Sequence, residues 1–428
     1  MRKEFFSYAI PSVISMWLYS FYTMADGFFV SHAVGPMALA AVNISMPYVN
    51  FIFGLSILCS AGASTVISIY LGRGEIKSAR DAFMTNLVVL LFISFLVTLI
   101  SLLLKDEIST LLGGTPNLHA DVSGYLGIIF IFDTFFIITY FLEVMTRADG
   151  HPRLATISVA LAAAANIALD YLFVMKFGWG VKGAAFATGI AQALSASWLI
   201  AHFKWGRTKL GFVLFKFSKS FIIRGVGLGV GDFVTEFSVG AMIFIFNKTI
   251  LRVIGETGVV SFTVMAYATT LVVMTMSGIA QGMVPLVSYH HGRRDDTVCR
   301  RLLRLALCTS LACGVGWFVC MEIFTGTFVS AFINPLKDYA LYADTVRFFR
   351  IYGISFIFIG INVTLASYFS AVERPIYGII LSSSRGLTVA AITLYVMSSA
   401  FGATGIWLSP VVSESVCACI ASAILGKL

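Results

Sequence analysis

Apolar runs of twenty or more residues, separated by short basic loops, recur along this whole chain and restrict its fold more than any motif in it. A helix needs about 20 apolar residues to cross the hydrocarbon layer of a bilayer. Such runs lie at about 5–32, 37–71, 82–104, 122–147, 154–175, 182–202, 219–251, 258–291, 302–324, 345–372, 375–399 and 403–426. In lipid each backbone N–H and C=O must be bonded within its own segment, so runs of this length read as helices. The sequence therefore predicts an all-α integral membrane protein with twelve transmembrane helices. Charged residues make up 12% of the chain where soluble proteins carry about 25%. A mean hydropathy of +0.91 confirms more apolar surface than one aqueous core can hide. A soluble enzyme, a nucleic-acid-binding domain and a disordered chain are excluded. The first run is too long for a cleaved leader and leads into another span. The seven cysteines, mostly in apolar stretches, read as buried thiols without a disulfide framework.

The formal charge of +8 reports orientation, because the basic residues sit between spans. With both termini on the cytoplasmic side, alternate loops place 20 Lys and Arg inside and 8 outside, with Arg385 within a span. This predicts a multi-pass protein of the cytoplasmic (inner) membrane with both ends inside.

The chain also repeats. A shift of 220 residues lays Gly35 on Gly255, Gly62 on Gly282, Ser68 on Ser288, Gly72 on Gly292 and Arg73 on Arg293. Pro152 meets Pro375 at 223, and Gly180 and Gly183 meet Gly402 and Gly405 at 222. Six spans is an even number, so the copies insert in the same orientation. Two pseudo-symmetric six-helix bundles are expected, an N-terminal lobe over 1–205 and a C-terminal lobe over 206–428.

An ionisable side chain inside a span is costly, so each is a candidate for function. Asn166 and Asp170 are one helical turn apart on one face. Thr188 enters from the outer end of the next span at a similar depth, and Asp26 approaches the same level if the first helix bends. A carboxylate, an amide oxygen and a hydroxyl at one depth suit sodium, or a proton held on a desolvated carboxylate. Pro11 supplies a bend point in the first helix, unless it lies in the first turn where proline is tolerated. Arg385 and Glu414 come level in neighbouring spans, as a structural ion pair would. Glu236, with Asp232 one turn away, is the candidate in the C-terminal lobe. The pair His290-His291 reads as interfacial. No phosphate-binding loop, zinc motif or nucleophile elbow is present, so neither cofactor nor ATP-driven pumping is expected.

Several stretches together resemble the multidrug and toxic compound extrusion (MATE) family, in its prokaryotic branch. They are Asp26-Gly27-Phe28-Phe29-Val30, Arg147-Ala148-Asp149-Gly150-His151-Pro152-Arg153, Asn166 through Phe173, and Gly178 through Ala185 with Thr188. The resemblance spans the full length. It implies a V-shaped, two-lobe transporter that exchanges cationic amphiphiles outward for inward sodium ions or protons. It assigns the first-lobe cation site to Asp26, Asn166, Asp170 and Thr188, with Glu143 where relatives often have Asn. Depth counting offers Asp133, nearer mid-span, in place of Glu143. Pro11 matches the proline associated with first-helix bending, and Glu236 an acidic position on the seventh helix. The expected partners are small cationic or amphiphilic molecules and the bilayer, with the chain acting as a monomer. Alternatives are a flippase for lipid-linked saccharides, which requires a cationic cavity, and a membrane-embedded enzyme, which requires His, Ser or Cys groups converging inside spans.

Overall fold

The computed structural model describes residues 1–34, 36–112 and 118–426; Gly35 and Lys427 lie outside them. Among the described residues the only regular secondary structure is helical. The first half comprises α1 (Arg2–Ala33), α2 (Pro36–Gly72), α3 (Ile76–Leu103), the short α4 (Lys105–Leu111), α5 (His119–Ala148), α6 (Pro152–Asp170) and α7 (Gly180–Trp205). The second comprises α8 (Lys219–Val253), α9 (Glu256–Gly292), α10 (Asp296–Ser330), α11 (Tyr339–Gly353), α12 (Phe356–Ala371), α13 (Pro375–Ser383) and α14 (Val389–Gly426).

Ten helical stretches among the described residues are long and apolar enough to cross a membrane. One of them, Pro375–Leu425, has 51 residues. A straight helix of that length would measure about 75 Å, more than twice the hydrocarbon thickness. Gly402, at φ 56° and ψ −132°, breaks it, and the two halves are the eleventh and twelfth spans. The remaining span is α1, in whose run 5–32 Asp26 is the only Asp, Glu, Lys or Arg. Twelve crossings result, with α11 and α12 forming one of them across a break near Ile354.

The repeat is visible in the backbone even where side chains differ. Left-handed residues occur at Gly74 and Arg294, which are 220 apart, at Gly150 and Glu373, 223 apart, and at Gly180 and Gly402, 222 apart. In two of these pairs the second copy holds a non-glycine residue at positive φ, which costs about 1–2 kcal/mol and persists only because the turn demands it. Proline opens both α6 and α13, at Pro152 and Pro375, where its missing N–H has no helical partner to lose.

By contact the chain forms two compact units that exchange short pieces. The first holds Ile14–Gly229 and Ser288–Arg294, and the second Met1–Val13, Val230–Val287 and Asp295–Leu428. Lipid supplies no hydrophobic drive between helices, so close packing over small residues must hold them. In the first unit a Cβ added at Gly62 of α2 would lie 1.7 Å from the carbonyl oxygen of Gly225, and one at Gly229 would lie 2.0 Å from that of Leu58. In the second unit a Cβ at Gly282 of α9 would lie 2.6 Å from Cα of Ala9. Gly62 and Gly282, like Ala9 and Gly229, stand 220 residues apart, so equivalent positions make equivalent close approaches.

The first unit is filled by stacked rings, Phe83 lying 4.9 Å from Phe203 and 5.9 Å from Phe141. The second is filled by Phe349, Phe356, Phe369 and Trp407, all fully buried. At one end of the first unit the loops are tied together. Arg80 donates from Nε to the Lys209 carbonyl at 2.7 Å, and the Lys216 N–H donates to Asp81 at 3.1 Å. The α2–α3 turn and the linker 206–218 therefore share one face.

Candidate functional site

The site lies in the first unit, where α1, α5, α6 and α7 converge. Asn166 and Asp170 project from the buried side of α6, and both are fully buried. On that side Ala162 and Ala163 are small enough for α7 to approach closely. Asn166 Nδ2 donates to Thr188 Oγ1 at 3.2 Å, and Thr188 donates to the Ala184 carbonyl at 3.0 Å. This leaves the amide oxygen of Asn166 without a donor. Immediately after Asp170 the helix widens into a π turn over Tyr171–Lys176. Such turns cost helical hydrogen-bond quality and concentrate at functional positions.

On α1, Tyr19, Tyr22 and Asp26 fall on one face at helical spacing. Asp26 is 7% exposed. Tyr22 lies within electrostatic range of Asp26. Asp26 and Asp170 are within electrostatic range of each other, and both are within range of the buried Tyr125 hydroxyl on α5.

Four buried oxygens in this group have no hydrogen-bond donor among the described residues: Asp26 Oδ1, Asn166 Oδ1 and both oxygens of Asp170. Neither carboxylate is in a salt bridge among the described residues. Buried acceptors are nearly always satisfied, and a carboxylate without a partner is the costliest kind to leave unsatisfied. An all-oxygen set of carboxylates, an amide and hydroxyls suits a hard cation such as sodium, or a proton.

Two residues suggested by the sequence do not join this group. Glu143 is fully buried but clasped between Arg147, one turn along α5, and the Tyr19 hydroxyl, which donates to it at 2.5 Å. It lies 18 residues along α5 from Tyr125, about 27 Å at the helical rise, so it cannot reach the level of Asp170. Asp133 accepts from Tyr48 at 2.5 Å, and Tyr48 also bonds Ser101 at 2.7 Å. It is about 12 Å along the helix from Tyr125. Tyr125 itself, with Tyr22, was not singled out by sequence. The signal was depth: Tyr125 starts its span at the end where Asp170 finishes its own.

Pro11 lies well inside α1, beyond the first turn where proline is cost-free. Glu236 on α8 is exposed, with Asp232 half-buried one turn before it. Arg385 Nε meets Glu414 Oε1 at 2.8 Å, and Asn362 donates to Glu414 Oε2 at 2.6 Å. All members of that last cluster belong to the second unit.

A family model described as MatE matches residues 11–172 and 233–411. Multidrug export protein MepA of Staphylococcus aureus (strain bovine RF122 / ET3-1) is 23% identical over 432 residues, which cover 100% of this chain and 94% of that protein. Among solved structures, a MATE crystallised in complex with MaL6 superposes with a TM-score of 0.93 at 20% identity. An outward-facing multidrug resistance MATE family transporter of the MOP superfamily superposes at 0.92, also with 20% identity. Each comparison covers 98% of this chain and 94% of the other. At these identities the structural matches establish the fold.

Proposed function

This chain belongs to the MatE family of multidrug and toxic compound extrusion (MATE) membrane transporters, and we propose that it exports cationic amphiphiles in exchange for an inward-moving sodium ion or proton. The observation that carries the ion site is the set of four donor-less buried oxygens on Asp26, Asn166 and Asp170. Thr188, bonded to Asn166, adds a further oxygen, and Tyr125 lies within electrostatic range of both carboxylates. Full-length similarity to a multidrug export protein supports drug export, and carboxylates without a countercharge favour cationic substrates.

Two carboxylates without a fixed countercharge repel each other, and an ion that enters between them draws α1 toward α6. Pro11, inside α1, lowers the resistance of that helix to bending. A ligand shifts a conformational equilibrium only by its differential affinity for the two states. Ion and substrate therefore act against each other through the curvature of α1. Glu236, a carboxylate exposed on a spanning helix, supplies a second acidic position where water reaches. Arg385 and Glu414 are assigned a structural role, since each neutralises the other.

The same reading places the protein in the cytoplasmic membrane as a monomer with both termini inside. Support comes from the even number of spans and the excess of Lys and Arg in alternate loops. The test is efflux of a cationic dye from cells carrying Asp26→Asn or Asp170→Asn. Both variants reach the membrane in normal amounts and lose efflux. Undiminished efflux by both would remove these residues from the mechanism.

A further inference from the structure

A second constellation lies away from the ion site, at the end of the first unit that carries the linker. Asp149 follows α5, His151 precedes α6, and His202 lies in the last turn of α7. His151 Nδ1 is 3.2 Å from Asp149 Oδ2, and His202 Nε2 is 3.5 Å from the same oxygen. The three atoms all fall within 4.8 Å of one another. None of them makes a hydrogen bond within the described residues, although Asp149 is 3% exposed and His202 8%. Three buried atoms that carry electron pairs thus converge on one point without hydrogen-bond geometry.

We propose that Asp149, His151 and His202 form a binding site for a divalent transition-metal ion, with zinc the best match to two imidazole nitrogens and one carboxylate oxygen. Ligands bound at about 2.1 Å in a tetrahedral arrangement stand about 3.4 Å apart, close to the two separations seen here. The other carboxylate oxygen, Oδ1, accepts the Lys209 N–H at 2.9 Å and so holds Oδ2 toward the imidazoles. A partner of this kind around a metal ligand fixes its orientation. The His151 side chain is 38% exposed, which gives an entry path and a fourth position for water. Left-handed Gly150, at φ 97°, turns the chain so that Asp149 and His151 face the same point. Bound metal would join the α5–α6 turn to the end of α7 and, through Lys209, to the linker that leads into α8.

The experiment uses the full chain, purified in detergent with any affinity tag removed, and titrates it with Co2+ as the probe and Zn2+ as competitor. One Co2+ per chain is expected, giving ligand-field absorption that one equivalent of Zn2+ removes. His202→Gln and His151→Gln should each weaken binding by at least about a hundredfold. His290→Gln with His291→Gln, the adjacent pair on α9, should leave it unchanged. Melting temperature and elution volume confirm that each variant is folded. As a second readout, Zn2+ should slow proteolysis of the linker 206–218 in the parent protein and not in His202→Gln. Less than stoichiometric binding, or binding that survives the His202 change and vanishes with the His290–His291 pair, overturns the proposal.

Discussion

Single side chains separate two kinds of buried carboxylate in the first unit. Glu143 is neutralised by Arg147 and Tyr19, whereas Asp26 and Asp170 have neither a cation nor a full set of donors among the described residues. In the proposed mechanism the second kind is the one that a mobile ion completes. Tyr125 lies within electrostatic range of both aspartates and carries a neutral hydroxyl. Tyr125→Phe removes that hydroxyl while keeping the ring that packs the core. It should raise the half-saturating concentration of the coupling ion about tenfold, the worth of one hydrogen bond to a charged group. The measurement is ion-dependent dye transport in proteoliposomes; an unchanged ion dependence would place Tyr125 outside the shell. The face shared by Asn166 and Asp170 was legible in the sequence, because a spacing of four fixes it in any helix. Tyr125 was not, because tyrosine in an apolar span reads as packing. Glu143 misleads for the opposite reason: resemblance favours it, while its own i,i+4 neighbour Arg147 already accounts for its charge.

Among helices, the decisive contacts are made by glycine. α2 receives the start of α8 at Gly62, and α9 receives the start of α1 at Gly282. Both approaches bring backbone to backbone, so no rotamer change can make room for a side chain. Gly62→Leu should therefore destabilise the protein by about 1–3 kcal/mol or rearrange α8. Gly227, on the same stretch of α8, has open space for a methyl group, with no neighbouring atom within 4 Å of the position it would take. Gly227→Ala should be neutral, or stabilising by up to about 1 kcal/mol through helix propensity. Thermal unfolding in detergent compares the two; equal melting temperatures for Gly62→Leu and the parent would refute the close approach. Span number and the positions of most turns follow from apolar run length alone. The exchange of short pieces between units does not, since hydropathy is indifferent to which neighbour a helix chooses. Nor does the π turn after Asp170, which no residue in Tyr171–Lys176 announces.

For the molecule as a whole, the repeat sets what coupling can look like. Backbone conformation is conserved between halves at Gly74 and Arg294 and at Gly150 and Glu373, yet the ionisable residues are not. The first half carries Asp26 and Asp170 without a countercharge, whereas in the second half Glu414 is paired with Arg385. On the proposed reading, one scaffold used twice holds its mobile-ion site in the first copy, while the second holds a fixed ion pair alongside Asp232 and Glu236. Coupling should then depend on one ion species and on the first unit. Proteoliposomes with a cationic dye and either a sodium gradient or a pH gradient, imposed separately, test this. One gradient should drive transport and the other should not. By linkage, the dye must weaken ion binding by the same factor by which the ion weakens dye binding. Asp170→Asn should remove the response to the effective gradient, while a conservative change at Glu236 should alter dye affinity more than ion dependence. Transport that ignores both gradients, or a response that persists in Asp170→Asn, would mean that the energy enters elsewhere in the chain.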